Sequence, residues 1–144
     1  MNTAPEPAAT AGRLRLAMTA LTRRLRKDWP DELTPSRVTA LATVAAGEPL
    51  AVGELAKRMG VSTPTVSHIV DALDKQGLIA RLPDPHDRRI CRLTTSDAGA
   101  ELLEELSRRT TGILADRIHR LSPAQQSAIE AALPALEALA AAPE

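Results

Sequence analysis

The chain has 144 residues, a length that suits one domain with a hydrophobic core. Hydrophobic residues make up 44% of it, but Phe and Tyr are absent and Trp29 is the only aromatic, so the core has to be built from Leu, Ala, Val and Ile. Formal net charge is zero, no apolar run approaches the ~18 residues of a membrane span, and no apolar signal stretch follows Met1, so a cytoplasmic protein without a membrane partner is expected.

Residues 1–10, MNTAPEPAAT, are small, polar and proline-containing, and are expected to form a disordered arm. A first helix is predicted from about Ala11 to Asp28, with Leu14, Met18, Leu21 and Leu25 in one apolar stripe. Arg13, Arg23, Arg24, Arg26 and Lys27 decorate the rest; the basic run at its end suits the helix dipole, and the plain reading of these cations is a solvated face. Trp29 to Leu33 is a break. Thr34-Pro35 then caps a second helix to about Ala46, with Val38, Leu41, Ala42 and Ala45 facing inward. Gly47-Glu48-Pro49 reads as a turn and Leu50-Ala51 as a minimal strand. Ala51 also stands where the next helix wants an N-cap and offers no acceptor, at a cost of roughly 1 kcal/mol.

Two short helices follow, in VGELAKRMGVSTPTVSHIVDALDKQGLI. Leu55, Ala56 and Met59 share a face of the first, and Gly60 sits where a helix stops in a left-handed residue. Thr63 is read as the N-cap of the second, with Pro64 at its first position. Val66, Ile69, Val70 and Leu73 form its apolar stripe, and Gly77 ends it. A small Ala56, a turning Gly60 and the packing pair Val66 and Ile69 make a helix-turn-helix. The period then changes. Leu78 to Leu82 and Ile90 to Leu93 are strand-like, and Pro83-Asp84-Pro85-His86-Asp87-Arg88-Arg89 reads as the hairpin loop between them. Thr94 to Asp97 matches a capping box with Thr94 as the cap. A long helix to about Arg120 carries Leu103, Leu106, Thr110, Ile113 and Leu114 on one face. Ser122-Pro123-Ala124-Gln125 is another capped start. The last helix carries Ile129, Leu133, Leu136 and Ala140, and Pro134 inside it should kink or shorten it.

A helix-turn-helix followed by a basic hairpin is a winged helix-turn-helix. GLIARLPDPHDRRICRLTTSDAG resembles the wing signature of the MarR family, the multiple-antibiotic-resistance-type transcription regulators. The resemblance covers nearly the whole chain. It implies a mainly α fold with a small β-hairpin wing, in which a winged helix-turn-helix over about 34–94 is flanked by dimerisation helices at 11–28 and 95–142, all within one domain over 11–144. The two end stripes could cover each other in a monomer, but the resemblance implies a homodimer that sets two recognition helices one DNA turn apart.

Charge is unevenly placed: residues 1–92 hold 14 Lys+Arg against 10 Asp+Glu, and residues 93–144 hold 4 against 8. The recognition helix opens with Ser62, Thr63, Thr65, Ser67 and His68. Hydroxyls and free N–H groups there suit phosphates, and His68 resembles the position where the family puts a base-reading residue. Lys57, Arg58 and Lys75 are candidate phosphate contacts. The resemblance implies that Arg89 of Asp87-Arg88-Arg89 enters the minor groove, held by a charge-assisted bond from Asp87, while Arg88 faces the backbone. It also implies a small aromatic or phenolic anion as effector, with Trp29, Leu33, Val38 and Leu41 as candidate lining and Arg15 or Arg37 as anion partner, although a core role is the plainer reading of the four apolar residues. The single cysteine, Cys91, permits no intrachain disulfide and reads as a structural thiol. His68, His86 and His119 fall in three different elements without a hydrolase or metal motif, so neither catalysis nor a cofactor is expected. The competing class is a helical protein-interaction module that uses the winged fold without specific DNA binding.

Overall fold

In a computed structural model, residues 6–141 are described. They form α1 (Pro7–Leu25), α2 (Pro35–Gly47), β1 (Leu50–Ala51), α3 (Val52–Met59), α4 (Thr63–Lys75), β2 (Ile79–Pro83), β3 (Cys91–Thr95), α5 (Asp97–His119) and α6 (Pro123–Ala141). The fold is mainly α with a small antiparallel sheet, as expected. The described residues divide into two compact units: residues 27–108, and residues 6–26 together with 109–141.

The winged unit is built around one aliphatic core. Leu41, Val44, Leu50, Leu55, Val66, Val70, Leu73 and Leu93 are fully buried. Ala40 and Ala56, also buried, are small enough to let α2 and α3 close on their neighbours. In α2 the buried positions are Ala40, Leu41 and Val44, while Ala42 and Ala45 are exposed, so the inward face lies one step from the expected one. The reason is size: the larger Val44 claims the core place that the two alanines would have left underfilled. The sheet has the order β1-β3-β2. Leu50 pairs with Leu93 and Arg81 with Leu93 from the other side, so Leu93 sits at the centre of the sheet, facing the helices.

Helix ends follow local chemistry. Thr34 caps α2 by accepting from the Arg37 N–H at 3.3 Å, with Pro35 at the first helical position. Ala51 precedes α3 with no side-chain cap, as its sequence requires. Gly60 (φ 66°) and Gly77 (φ 70°) are left-handed, and Leu78 N–H bonds back to the Leu73 carbonyl at 3.0 Å, closing α4 as a Schellman turn. The cap of α4 is Ser62, not Thr63: Ser62 Oγ accepts the Thr65 N–H at 3.3 Å, and Thr63 and Pro64 fill the first two helical positions. Proline is tolerated at the second position because that N–H also lacks an intrahelical partner. The cap of α5 is likewise displaced from Thr94 to Ser96, whose Oγ accepts from Gly99 N–H at 3.1 Å and donates to the Gly77 carbonyl at 2.5 Å. Thr94 and Thr95 remain in the ladder opposite Ala80 and Ile79, so the chain leaves the sheet only at Ser96.

Gly99 packs the start of α5 against the turn after α4; an added Cβ would overlap the Leu78 carbonyl oxygen and crowd Thr95 Cγ2 at 2.9 Å. Gly99→Ala should therefore destabilise the winged unit by about 1–3 kcal/mol, although alanine is the better helix former. A chemical denaturation midpoint equal to or above that of the parent would refute this.

The other unit contains α1, α6 and the C-terminal part of α5. Helix starts at Pro7, so the arm expected over 1–10 is already helical at its end; proline at the first position and Ala8 and Ala9 after it favour the helix, and residues 1–5 lie outside those described. Ser122 and Gln125 cap α6 reciprocally, Ser122 N–H to Gln125 Oε1 at 3.1 Å and Gln125 N–H to Ser122 Oγ at 3.2 Å. The helix is not shortened at Pro134 and runs on to Ala141. No residue of α1 or α6 is buried. Leu14 and Met18 of α1 and Leu136, Leu139 and Ala140 of α6 line an apolar groove, and Met18 (58%) and Leu139 (63%) are mostly exposed.

Candidate nucleic-acid interface

The N-terminal turn of α4 is exposed from Ser62 to Thr65, and its first N–H groups point out of the helix. Ser62 Oγ and Thr65 Oγ1 lie 2.8 Å apart. Ser62 Oγ already accepts the Thr65 N–H, so one hydroxyl proton is spent between the two oxygens and one remains for an outside acceptor. The pair offers one free donor, on either of the two oxygens. Thr63 and His68 are exposed and Ser67 is half-buried. Lys57 and Lys75 are exposed near the ends of α3 and α4. The Arg58 guanidinium lies in the space a Gly47 side chain would take, at the C-terminal end of α2 where the helix dipole favours a cation.

The wing is organised by a residue that sequence reasoning passed over. Asp84 is buried (7% exposed) at the neck of the loop. Its Oδ1 accepts the N–H groups of His86 (2.8 Å) and Asp87 (3.0 Å), and its Oδ2 accepts from Arg92 Nε at 2.7 Å. The Arg92 guanidinium and the two N–H groups hold the carboxyl down to a pKa of about 2, from 3.8. Asp84 N–H to the Ile90 carbonyl and Ile90 N–H to the Asp87 carbonyl, each 3.0 Å, complete the loop. The signal was available: an Asp at the start of a proline-punctuated turn, with an arginine on the returning strand.

Asp87 behaves differently from the expectation. Its Oδ1 accepts from the backbone N–H of Arg89 at 3.0 Å, and among the described residues no ion pair joins it to the Arg89 guanidinium. Two residues of separation place an aspartate over the next-but-one amide, not over the far end of a long side chain. Arg88 and Arg89 are exposed at the tip.

The effector candidates divide. Leu41 is fully buried and Leu33 nearly so; both belong to the winged core, with Trp29 and Val38 packed against it. Arg37 donates through Nη1 to the Glu32 carbonyl at 2.7 Å, and Arg15 is exposed on α1. Cys91 is half-buried on β3. Among the described residues, no group of His, Cys, Asp and Glu could hold a metal ion.

A helix-turn-helix with an exposed second helix and an arginine-tipped hairpin beside it defines a winged helix DNA-binding protein. Comparison with known proteins narrows the class. The MarR family model matches residues 32–90. A protein of Mycobacterium bovis described as an uncharacterized HTH-type transcriptional regulator is 31% identical over 133 residues, 92% of this chain and 93% of its own. Among solved structures, a MarR family protein from Bacillus stearothermophilus superposes with a TM-score of 0.73 at 26% identity, covering 90% of this chain and 91% of that one. A transcriptional regulator from Pseudomonas aeruginosa does so with 0.83 at 25% identity, covering 98% and 100%. The chain belongs to the MarR family of transcriptional regulators.

Proposed function

We propose that the protein is a homodimeric, ligand-responsive repressor that binds an inverted-repeat operator. The N-terminal turn of α4 reads the major groove, with Ser62, Thr63, Thr65 and Ser67 on phosphates and His68 toward base edges. The wing places Arg89 in the minor groove and Arg88 on the backbone, with Lys57, Arg58 and Lys75 as flanking phosphate contacts. The observation that carries this reading is the pairing, within one compact unit, of an exposed capped helix start and an Arg88-Arg89 tip shaped by a buried aspartate. Dimerisation is supported by α1 and α6, in which no residue is fully buried and Met18, Leu21, Leu133 and Leu136 of the apolar stripes are exposed. An aromatic or phenolic anion remains the effector class that the family suggests.

Electrostatics gives the second reading its footing. Residues 27–108 carry 10 Lys+Arg against 13 Asp+Glu, so attraction to DNA has to come from local placement, not from the charge of the winged unit. A protein-interaction module would need no such placement.

One set of measurements separates the readings. Random duplex selected by the protein should yield an imperfect inverted repeat with half-site centres about one helical turn apart, roughly 10–10.5 bp. Affinity for it should fall steeply between two salt concentrations. The protein should sediment as a dimer at micromolar concentration, and deleting residues 124–144 should give monomers or aggregates. A full-length monomer, or a footprint over a single asymmetric half-site, would contradict the proposal. Failure to enrich any sequence would favour the interaction module.

A further inference from the structure

The core holds the wing by its root and, on β3, by the half-buried Cys91. Ile79 is the single buried side chain of β2, and Leu93 the single one of β3. Beyond the rung where Arg81 pairs with Leu93, Leu82 is 49% exposed, Pro83 is exposed, and Asp84 ties the loop only to itself and to Arg92. Among the described residues, the side chain that ion-pairs this stretch to the recognition helix is Arg81. Its Nη2 bonds Asp71 Oδ1 and its Nε lies 3.2 Å from Asp74 Oδ2. Asp71 and Asp74 are three residues apart on α4 and so share a face. A guanidinium gripped at two points of its plane has a fixed orientation, which an ammonium would lack.

All three side chains are more than one third exposed, so these ion pairs contribute little to folding. Nor does charge explain them. Two carboxylates on a helix that meets DNA repel phosphate, and one guanidinium cancels only half of that. We infer that Arg81 is a positioning residue that fixes the angle between wing and recognition helix, so that minor-groove and major-groove contacts are made together. The inference rests on the DNA reading above.

The test uses the full-length protein on the duplex it selects, with Arg81→Lys, Arg81→Ala and the triple variant Asp71→Asn, Asp74→Asn, Arg81→Ala. The triple variant is one unit more positive than the parent at this cluster. Coulomb's law therefore predicts tighter binding. Positioning predicts binding weaker by about tenfold, the size of a mid-range coupling between sites, with hydroxyl-radical protection lost at the wing flank before the recognition-helix contacts. Arg81→Lys, which keeps the charge and loses the fork, should also bind more weakly than the parent. Should Arg81→Ala fold poorly, the lysine and triple variants leave no unpaired carboxylate pair behind and carry the comparison. A second readout needs no DNA: amide order parameters of residues 84–90 should be lower in Arg81→Ala or the triple variant than in the parent. Equal order parameters, or a triple variant that binds as tightly as the parent or more so, would overturn the inference. A parent that selects no duplex would instead sink the DNA reading, while the order parameters still decide whether Arg81 holds the wing.

Discussion

Asp84→Ala should leave the winged core folded while disordering the wing tip. The carboxylate accepts three hydrogen bonds, from Arg92 Nε and from the N–H groups of His86 and Asp87, and among the described residues no other side chain accepts from these donors. Without it the N–H groups of His86 and Asp87 lose their acceptor and turn to water. Operator affinity should fall by about tenfold or more, because the arginines at the tip must be ordered anew on binding. Trypsin should cut faster after Arg88 and Arg89 in the variant, since exposed, loosely held loops are nicked first. Asp84→Asn separates the roles: its amide oxygen can still accept from the two N–H groups, but it turns a neutral group toward Arg92, so it should fall between parent and alanine. The pH dependence has a definite sign. The folded pKa, about 2, is depressed from 3.8, so the stabilisation is present above about pH 4 and is lost as pH falls toward 2. The His86 and Asp87 amide resonances should collapse over that window in the parent, with no such step in Asp84→Ala. Unchanged affinity and unchanged nicking in Asp84→Ala would show that the tip is shaped by something other than this carboxylate.

How much of this was legible in sequence depends on the range of each interaction. The stripe of α4, Gly60, Gly77 and the Thr34-Pro35 and Ser122-Gln125 starts were readable because each is set by residues within about a turn of one another. The caps of α4 and α5 were misplaced by one and two positions. Ser62 and Thr63 can both cap, and only the extended backbone of Ser62 (ψ 153°) chooses between them. Thr94 matched the capping pattern, yet its place in the ladder opposite Ala80 overrode the local signal. The contacts that shape the candidate site escaped because they cross elements. Asp71 and Arg81 are ten residues apart, on a helix and a strand, and Asp84 meets Arg92 only across the hairpin. Composition was a weak guide too, since the winged unit carries more carboxylates than cations and relies on where a few arginines are held.

The arginine tip itself gives the sharpest test. Arg89→Ala should leave thermal stability almost unchanged, within about 0.5 kcal/mol, because the residue is exposed. Operator binding should still fall by roughly ten- to a hundredfold, since a guanidinium in a narrow minor groove meets an enhanced negative potential. Arg88→Ala should cost less and reduce the salt slope by about one phosphate contact. Asp87 decides between orientation and charge. Its Oδ1 fixes the backbone N–H of Arg89, and so the direction in which the side chain leaves the loop. Asp87→Ala removes a negative charge near DNA, which by Coulomb's law should tighten binding. Orientation predicts the reverse, weaker binding with an unchanged melting temperature. Asp87→Asn keeps an oxygen acceptor and loses the charge, so it should bind at least as well as the parent. The comparison is the affinity of the four variants for the selected operator at one salt concentration. Tighter binding by Asp87→Ala than by the parent would mean that Asp87 does not position Arg89, and that the wing acts through its summed charge alone.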